Sequence, residues 1–254
     1  MCYNLAYLER KLLKYAERYQ EVLPDNVIKR VINDELLTYY FVSGFSHPQL
    51  PVIKHDGLFL FEWGLIPSWI KDDKEANDIQ DMTLNTIGET VFEKQSFRNS
   101  ITTKRCLLGI NGFYEWRDVN KVKYPYFIHT KSNDIFSLGC IYESWTDKST
   151  GEIRNTFSIL TTPANTLMES IHNLKKRMPL ILSREDEKRW IEPNLTHDQI
   201  NELIKPYAAS DMDAYTVTQH VNSGKNYRNV PQSMVMIDYP ELSSWQNEKK
   251  MSAQ

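Results

Sequence analysis

The sequence predicts an α+β fold: one domain with a mixed or antiparallel, barrel-like β-sheet core flanked by helices. Three observations carry this. Short runs rich in aromatic and β-branched residues recur along the chain. Helical patterns stand among them without a regular βαβ rhythm. No internal repeat, Gly/Ser linker or low-complexity tract divides the 254 residues, a length that can bury a substantial core. The domain is expected over residues 1–238 and a polar tail over 239–254.

Leu5, Leu8, Leu12, Ala16 and Tyr19 recur at helical spacing and predict an amphipathic helix over 5–22, ended by Leu23-Pro24-Asp25. Residues 36–45 and 57–63 read as strands. Residues 64–80 read as a loop or short helix, and 87–97 as helical. Strands are expected at 106–110, 113–117, 125–130, 135–142 and 156–162. Pro163, a good first-turn residue, opens a helix to 171. A strand at 179–182 follows. Ser183 caps a helix over 184–191. Thr196-His197-Asp198-Gln199 fits a capping box for a helix over 197–205. A last strand is expected at 214–219, and the chain is polar and frayed from about 240.

Net charge is −3, so no global basic field exists, and any nucleic-acid site must be a local patch. The first twenty residues mix charges with leucines, unlike a signal peptide, and no apolar run is long enough to span a membrane. The chain reads as cytosolic. Its three cysteines, Cys2, Cys106 and Cys140, form no CxxC pair, which argues against a zinc site or a disulfide framework. Cys106 and Cys140 sit in apolar runs and read as packing residues. No cofactor and no metal are expected.

Cys2 stands directly behind the initiator methionine. Cysteine is small, so removal of Met1 by an aminopeptidase is expected to leave it first in the chain. A terminal cysteine carries an amine and a thiol on adjacent carbons, titrating near ~8 and ~8.5. Together they condense with an aldehyde, first to an imine and then to a five-membered thiazolidine. An N-terminal helix would favour the thiolate. The plainer reading is that position 2 is simply small, and the chemistry requires that the terminus be reachable.

Three further segments gather polar residues in apolar frames. Glu115 lies between Tyr114 and Trp116; facing a pocket, its carboxyl would be desolvated, its pKa raised, and it would suit acid–base work. Facing water it would be an ordinary strand glutamate. His172 follows an apolar helix and precedes Lys175-Lys176-Arg177; imidazole suits proton transfer near neutrality, and a capping histidine is the plain alternative. Asn85, in Thr83-Leu84-Asn85-Thr86, would orient a carbonyl or hydroxyl, or serve as a turn residue.

Taken together these segments resemble the SOS-response-associated peptidase (SRAP) family. The resemblance runs from Cys2 to about Pro231. It rests on Cys2, Trp63-Gly64-Leu65-Ile66-Pro67-Ser68-Trp69, Asn85 with Glu89, Arg105-Cys106-Leu107 leading to Gly112-Phe113-Tyr114-Glu115-Trp116, Thr161-Thr162-Pro163-Ala164-Asn165, and His172 with Arg177-Met178-Pro179. It implies binding of single-stranded DNA and covalent capture of the abasic-site aldehyde, with abasic-site lyase activity through the Schiff base. Cys2 would be the nucleophile, Asn85 a sugar and backbone positioner and Glu115 the proton shuttle. His172 would be a second acid/base that protonates the departing sugar oxygen. The family name also implies a peptidase activity, limited here to exposing Cys2. A monomer acting at the nucleoid, beside replication-fork proteins, is expected.

Trp63, Pro67 and Trp69 are expected to stack on or wedge beside bases, although Trp63 also reads as core. Pro48 is a further candidate base contact. Arg98, Arg105, Lys175, Lys176 and Arg177 are candidate phosphate contacts, with Arg105 alternatively a buried structural partner. Thr161 and Thr162 would donate to a phosphate or simply pack. The chain departs from the family's usual Met-Cys-Gly-Arg start (Tyr3, Asn4), from Ala-Arg after Asn85 (Thr86, Ile87), and from the compact His-Asp-Arg-Met-Pro form. Two other functions remain open on the residues: a thiol peptidase using Cys2, and a non-catalytic single-strand binding module.

Overall fold

The computed structural model describes residues 2–7, 17–19, 39–131, 135–224 and 227–242. Thirteen strands are named among them: β1 Asn4–Tyr7, β2 Tyr39–Ser43, β3 Gln49–Lys54, β4 Gly57–Trp63, β5 Asn85–Ile87, β6 Arg105–Ile110, β7 Gly112–Val119, β8 Val122–Thr130, β9 Phe136–Thr146, β10 Ile153–Pro163, β11 Arg177–Pro179, β12 Ile181–Leu182 and β13 Met212–Thr216. The helices named are α1 Asp73–Gln80, α2 Arg98–Thr103, α3 Thr166–Ile171, α4 Arg184–Ile191 and α5 His197–Leu203.

Five strands close on themselves. β4 pairs antiparallel with β3, β3 with β6, β6 with β9 and β9 with β10, and β10 returns to β4 in parallel through Phe157↔Trp63. The ring leaves these strands no open edge inside the barrel. Strand periodicity then sorts the side chains. Val52, Phe61, Trp63, Cys106, Leu108, Leu138, Cys140 and Phe157 share one buried cluster. Their alternates Ile53, Leu58, Leu107, Ile141 and Leu160 join Trp190 of α4 and Ile200 and Leu203 of α5 in a second. Cys106 and Cys140 are registered directly opposite each other and fully buried. They are packing residues, as read from sequence.

A second sheet runs in the order β13-β8-β7-β1-β2. In it β1 pairs with β7 through Leu5↔Phe113 and Ala6↔Gly112, which brings the chain's beginning against the strand that carries Glu115. Gly112 is required there: a Cβ would lie 2.2 Å from Phe127 Cζ and 2.7 Å from Ile128 O. Leu5–Tyr7 are therefore strand, not the start of a helix. Residues 17–19 are helical, and the rest of the span expected as helix lies outside the described residues.

Local signals held where they were strong. Ser183 accepts from Asp186 N, and Thr196 and Gln199 form the capping box at the start of α5. Elsewhere tertiary packing prevailed. Residues 87–97 are not a helix; Ile87 ends β5, turns follow, and α2 starts at Arg98, with Val91 and Phe97 as buried anchors. Pro163 ends β10, and the true cap of α3 is Asn165, which accepts from Met168 N. β3 was hidden by Pro51. Pro51 faces Leu60 of β4 but precedes the first pair with β6, Val52↔Leu108, so its missing N–H breaks no rung of that ladder. The fold continues through Pro240–Leu242, where Leu242 is buried, four residues into the span expected as tail. No helix among the described residues is long and apolar enough to cross a membrane.

Candidate active site

Cys2, Glu115 and His172 converge. β1 carries Cys2 in beside β7, where Glu115 is buried. α3 ends at His172, whose Nε2 lies 3.7 Å from Glu115 Oε2. A recess of about 200 Å³ opens on Glu115 and His172, lined also by Tyr3, Trp116, Leu174 and Lys175 among others. Cys2 itself has no exposed surface in the full chain.

Burial governs the protonation of all three groups. Desolvation raises the Glu115 carboxyl from its ordinary 4.5 to about 8, so it holds its proton at neutral pH. Desolvation lowers His172 from 6.5 to about 4. His172 Nδ1 lies 2.9 Å from the carbonyl of Arg177. A carbonyl only accepts, so Nδ1 bears the hydrogen and Nε2 turns its lone pair to Glu115. The pair is a neutral acid facing a neutral base. With the carboxyl protonated, Glu115 is the proton donor of the pair. The Cys2 thiol is pushed well up by burial and then by Glu115. The thiolate expected from a helix terminus is absent, since Cys2 leads into a strand. The positive chain terminus acts on Cys2, Glu115 and His172 alike, lowering each.

Asn85 sits at the start of β5, which runs parallel to β10 through Asn85↔Ile159. Its amide oxygen and nitrogen are both buried and without a hydrogen-bond partner. A buried amide left unmatched is destabilising by about 1–3 kcal/mol. Trp63 supports it: the indole is fully buried and donates to Leu84 O at 2.8 Å. Trp63 is thus a pillar of the core and offers no face to a base. Gly44, packed against Trp63 and Leu84, donates to Tyr3 O at 2.8 Å and ties this pillar to the Cys2 segment.

Several expected DNA contacts point inward. Pro48 and Pro67 are buried; their carbonyls accept from Trp63 N and Ile70 N. Arg105 is buried and donates to the carbonyls of Trp190, Ile101, Thr102 and Glu192, joining α2 to α4. Thr161 donates to Thr86 O and Thr162 to Pro163 O, both fully buried. Arg177 forms a bidentate pair with Glu89, whose carboxyl it holds below the usual range, and donates to Thr161 O at 2.7 Å. It ties the turn after β5 to β10 and β11, and its carbonyl fixes the tautomer of His172. These residues build the site rather than line it. Trp69, 45% exposed, remains available on a loop pinned by Ile66 N to Thr156 and Trp145 Nε1 to Ile70 O. Arg98, Lys175 and Lys176 are exposed.

Two rim features escaped the sequence reading. Phe45 is 54% exposed and packs on Tyr3 with ring centroids 5.1 Å apart, giving an aromatic shelf beside Cys2. Tyr3 was noted only as a bulky departure, and nothing in the sequence joins it to Phe45. Leu174 is the other.

The comparisons with known proteins agree with this geometry. The family model described as SOS response associated peptidase (SRAP) matches residues 13–224. The abasic site processing protein YoqW of Bacillus subtilis (strain 168) is 39% identical over 216 residues, covering 80% of this chain and 91% of its own. The abasic site processing protein HMCES of Gallus gallus is 28% identical over 197 residues, 69% of this chain and 56% of its own. A crystal structure of a protein from Bacteroides thetaiotaomicron superposes with a TM-score of 0.86 at 39% identity, over 93% of this chain and 100% of that one. Another, from Bordetella bronchiseptica, gives 0.70 at 18% identity over 85% of this chain and 100% of that one, a likeness of fold alone. The chain belongs to the SOS response associated peptidase family.

Proposed function

We propose that this protein processes abasic sites by capturing them covalently in single-stranded DNA through Cys2. The observation that carries the reading is the neutral Glu115–His172 pair beside Cys2 at one recess. Loss of Met1 is a required step in this proposal, because it frees the Cys2 amine.

The chemistry follows in two stages. The ring-opened sugar presents an aldehyde. The Cys2 amine adds to its carbon and passes a proton to the oxygen, Glu115 protonates the resulting hydroxyl, and water leaves to give a protonated imine and the Glu115 carboxylate. The Cys2 sulfur then adds to the imine carbon while its proton returns to the Glu115 carboxylate. The C=N electron pair falls back on nitrogen, which keeps its one hydrogen, and a neutral thiazolidine closes. His172, whose Nε2 faces Glu115, accepts and returns protons to it. Asn85, with both amide atoms unmatched, hydrogen-bonds the sugar or its phosphate. Trp69 and the Tyr3–Phe45 shelf stack on neighbouring bases, and Arg98, Lys175 and Lys176 meet phosphates. The names of the relatives, abasic site processing proteins, support the substrate class. Strand scission from the imine would make the protein a lyase as well.

The test uses protein whose loss of Met1 has been verified by intact mass. Incubated with a uracil-excised oligonucleotide, it should give a band that survives denaturant, and Cys2→Ala should give none. Absence of the band from verified wild-type protein would overturn the proposal. Salt-sensitive binding unchanged by Cys2→Ala and indifferent to lesions would point to a plain single-strand binder. Turnover of peptides would point to a thiol peptidase.

A further inference from the structure

Four residues, Asn173 to Lys176, separate His172 from Arg177, and the turn they form displays Leu174. That side chain is 71% exposed, yet the turn beneath it is fixed on both sides. Asn173 Oδ1 accepts from Asp118 N at 3.0 Å while its Nδ2 donates to Asp118 O at 2.8 Å, so one side chain makes two bonds to the backbone of β7. Just before the turn, Arg117 donates to Ser170 O. At its end Lys176 N donates to His172 O at 2.8 Å, and Lys176 takes the left-handed conformation, φ 49°, that closes the loop. Leu174 belongs to none of the apolar clusters of the described residues.

Its position says what it is for. Leu174 lines the recess of Glu115 and His172, and Lys175 lines it too. Lys176 is exposed beside it, its Nζ 4.0 Å from Glu169. An apolar tip followed by two cations, set at the mouth of the chemistry, is complementary to a strand with an apolar gap between two phosphates.

We propose that Leu174 is a lesion-reading wedge: it enters the base stack of a single strand at the place vacated by the missing base, while Lys175 and Lys176 hold the flanking phosphates. This rests on the reading of the site as one for abasic DNA. An intact strand has a base where Leu174 would go, so the wedge discriminates for the lesion; the lysines act on both strands equally. Leu174 is a specificity-determining residue in this proposal and takes no part in proton transfer.

The experiment separates wedge from chemistry. Affinities of wild type, Leu174→Ala and Leu174→Met are measured for a single strand with one tetrahydrofuran abasic analogue, which forms no adduct, and for the intact strand. A 2-aminopurine next to the analogue reports unstacking. Loss of the wedge should reduce the preference for the lesion about tenfold, as expected for one buried aliphatic group, and should reduce the fluorescence rise on binding. Leu174→Met should keep most of both, and Lys175→Ala should weaken both strands together. Unchanged preference and fluorescence in Leu174→Ala would overturn the proposal. Adduct formation is measured separately on a true abasic strand. Failure there refutes the capture reaction, while the analogue measurements still decide the wedge.

Discussion

Replacing Glu115 by Gln should make the protein more resistant to alkali while disabling its chemistry. The carboxyl is buried in β7, with a pKa of about 8 in place of 4.5. Below pH 4.5 the folded and unfolded chains both hold the proton, and the group's contribution to stability is fully present. Above 4.5 the unfolded chain releases the proton and the folded chain does not. Stability is therefore lost as pH rises, until the folded pKa near 8 has been passed. At about 1.4 kcal/mol per pH unit, the wild type should lose roughly 3–4 kcal/mol from this group between pH 5 and pH 8. Glutamine has nothing to ionise and should lose none of it.

The assay is urea unfolding of both proteins at pH 5, 6.5 and 8, with free energies from linear extrapolation. His172 works in the other sense: its contribution is present above pH 6.5 and lost as pH falls toward 4. To first order it is common to both proteins and drops out of the comparison. The stability of Glu115→Gln relative to wild type should thus climb by roughly 3–4 kcal/mol from pH 5 to pH 8. A difference that stays flat with pH would refute the buried neutral carboxyl and, with it, the assignment of Glu115 as the resting acid. On the same protein, adduct formation should fall by about 10²–10⁴, the usual worth of a positioned acid–base group.

Wild-type adduct formation, followed in single turnovers, should decline as pH rises through about 8, where Glu115 loses its proton; the decline should vanish from the residual activity of Glu115→Gln. Asn85→Ala should not destabilise the fold in urea, because it removes an unmatched buried amide and no internal hydrogen bond, yet should weaken binding of abasic strands in fluorescence anisotropy. Arg105→Met should behave oppositely. It strips the donors from four carbonyls and should destabilise by about 3 kcal/mol or more in urea, while the folded protein keeps the salt dependence of DNA binding.

The fold was legible where information is local. The caps at Ser183 and Thr196 and the aromatic runs of β4 and β6 to β10 announce themselves within a few residues. β1 does not, because Leu5–Tyr7 become strand only through partners at Val42 and Phe113, far along the chain. The same holds at the site. Cys2, Glu115 and His172 could be singled out by residue type, but their proximity could not, since it depends on how β1, β7 and the end of α3 pack. For Trp63, Arg105 and Thr161 both a DNA-facing and a packing reading were open, because residue type does not reveal direction: a guanidinium suits phosphate and backbone carbonyls equally well, and burial favours the packing reading. Leu174 carries no signal of its own. Only the pinning of Asn173 to Asp118 makes an exposed leucine meaningful.

Within the proposed reaction, burial also sets the order of events. The low-dielectric pocket that keeps Glu115 protonated keeps the Cys2 thiol protonated too, and a negative Glu115 would only raise the thiol further. Sulfur is therefore the poorer nucleophile at the start, although a free thiolate would be the better one. The terminal amine, ordinarily near ~8, has a neutral fraction at neutral pH and attacks first. Once water has left, Glu115 has given up its proton and can accept one. Only then does the thiol have a base within the site, and only then is there an imine carbon for sulfur to attack. A thiol that was ionised from the outset would add to the aldehyde directly and form a hemithioacetal that readily reverts. Keeping sulfur silent until the imine exists directs the chain to the ring-closed product.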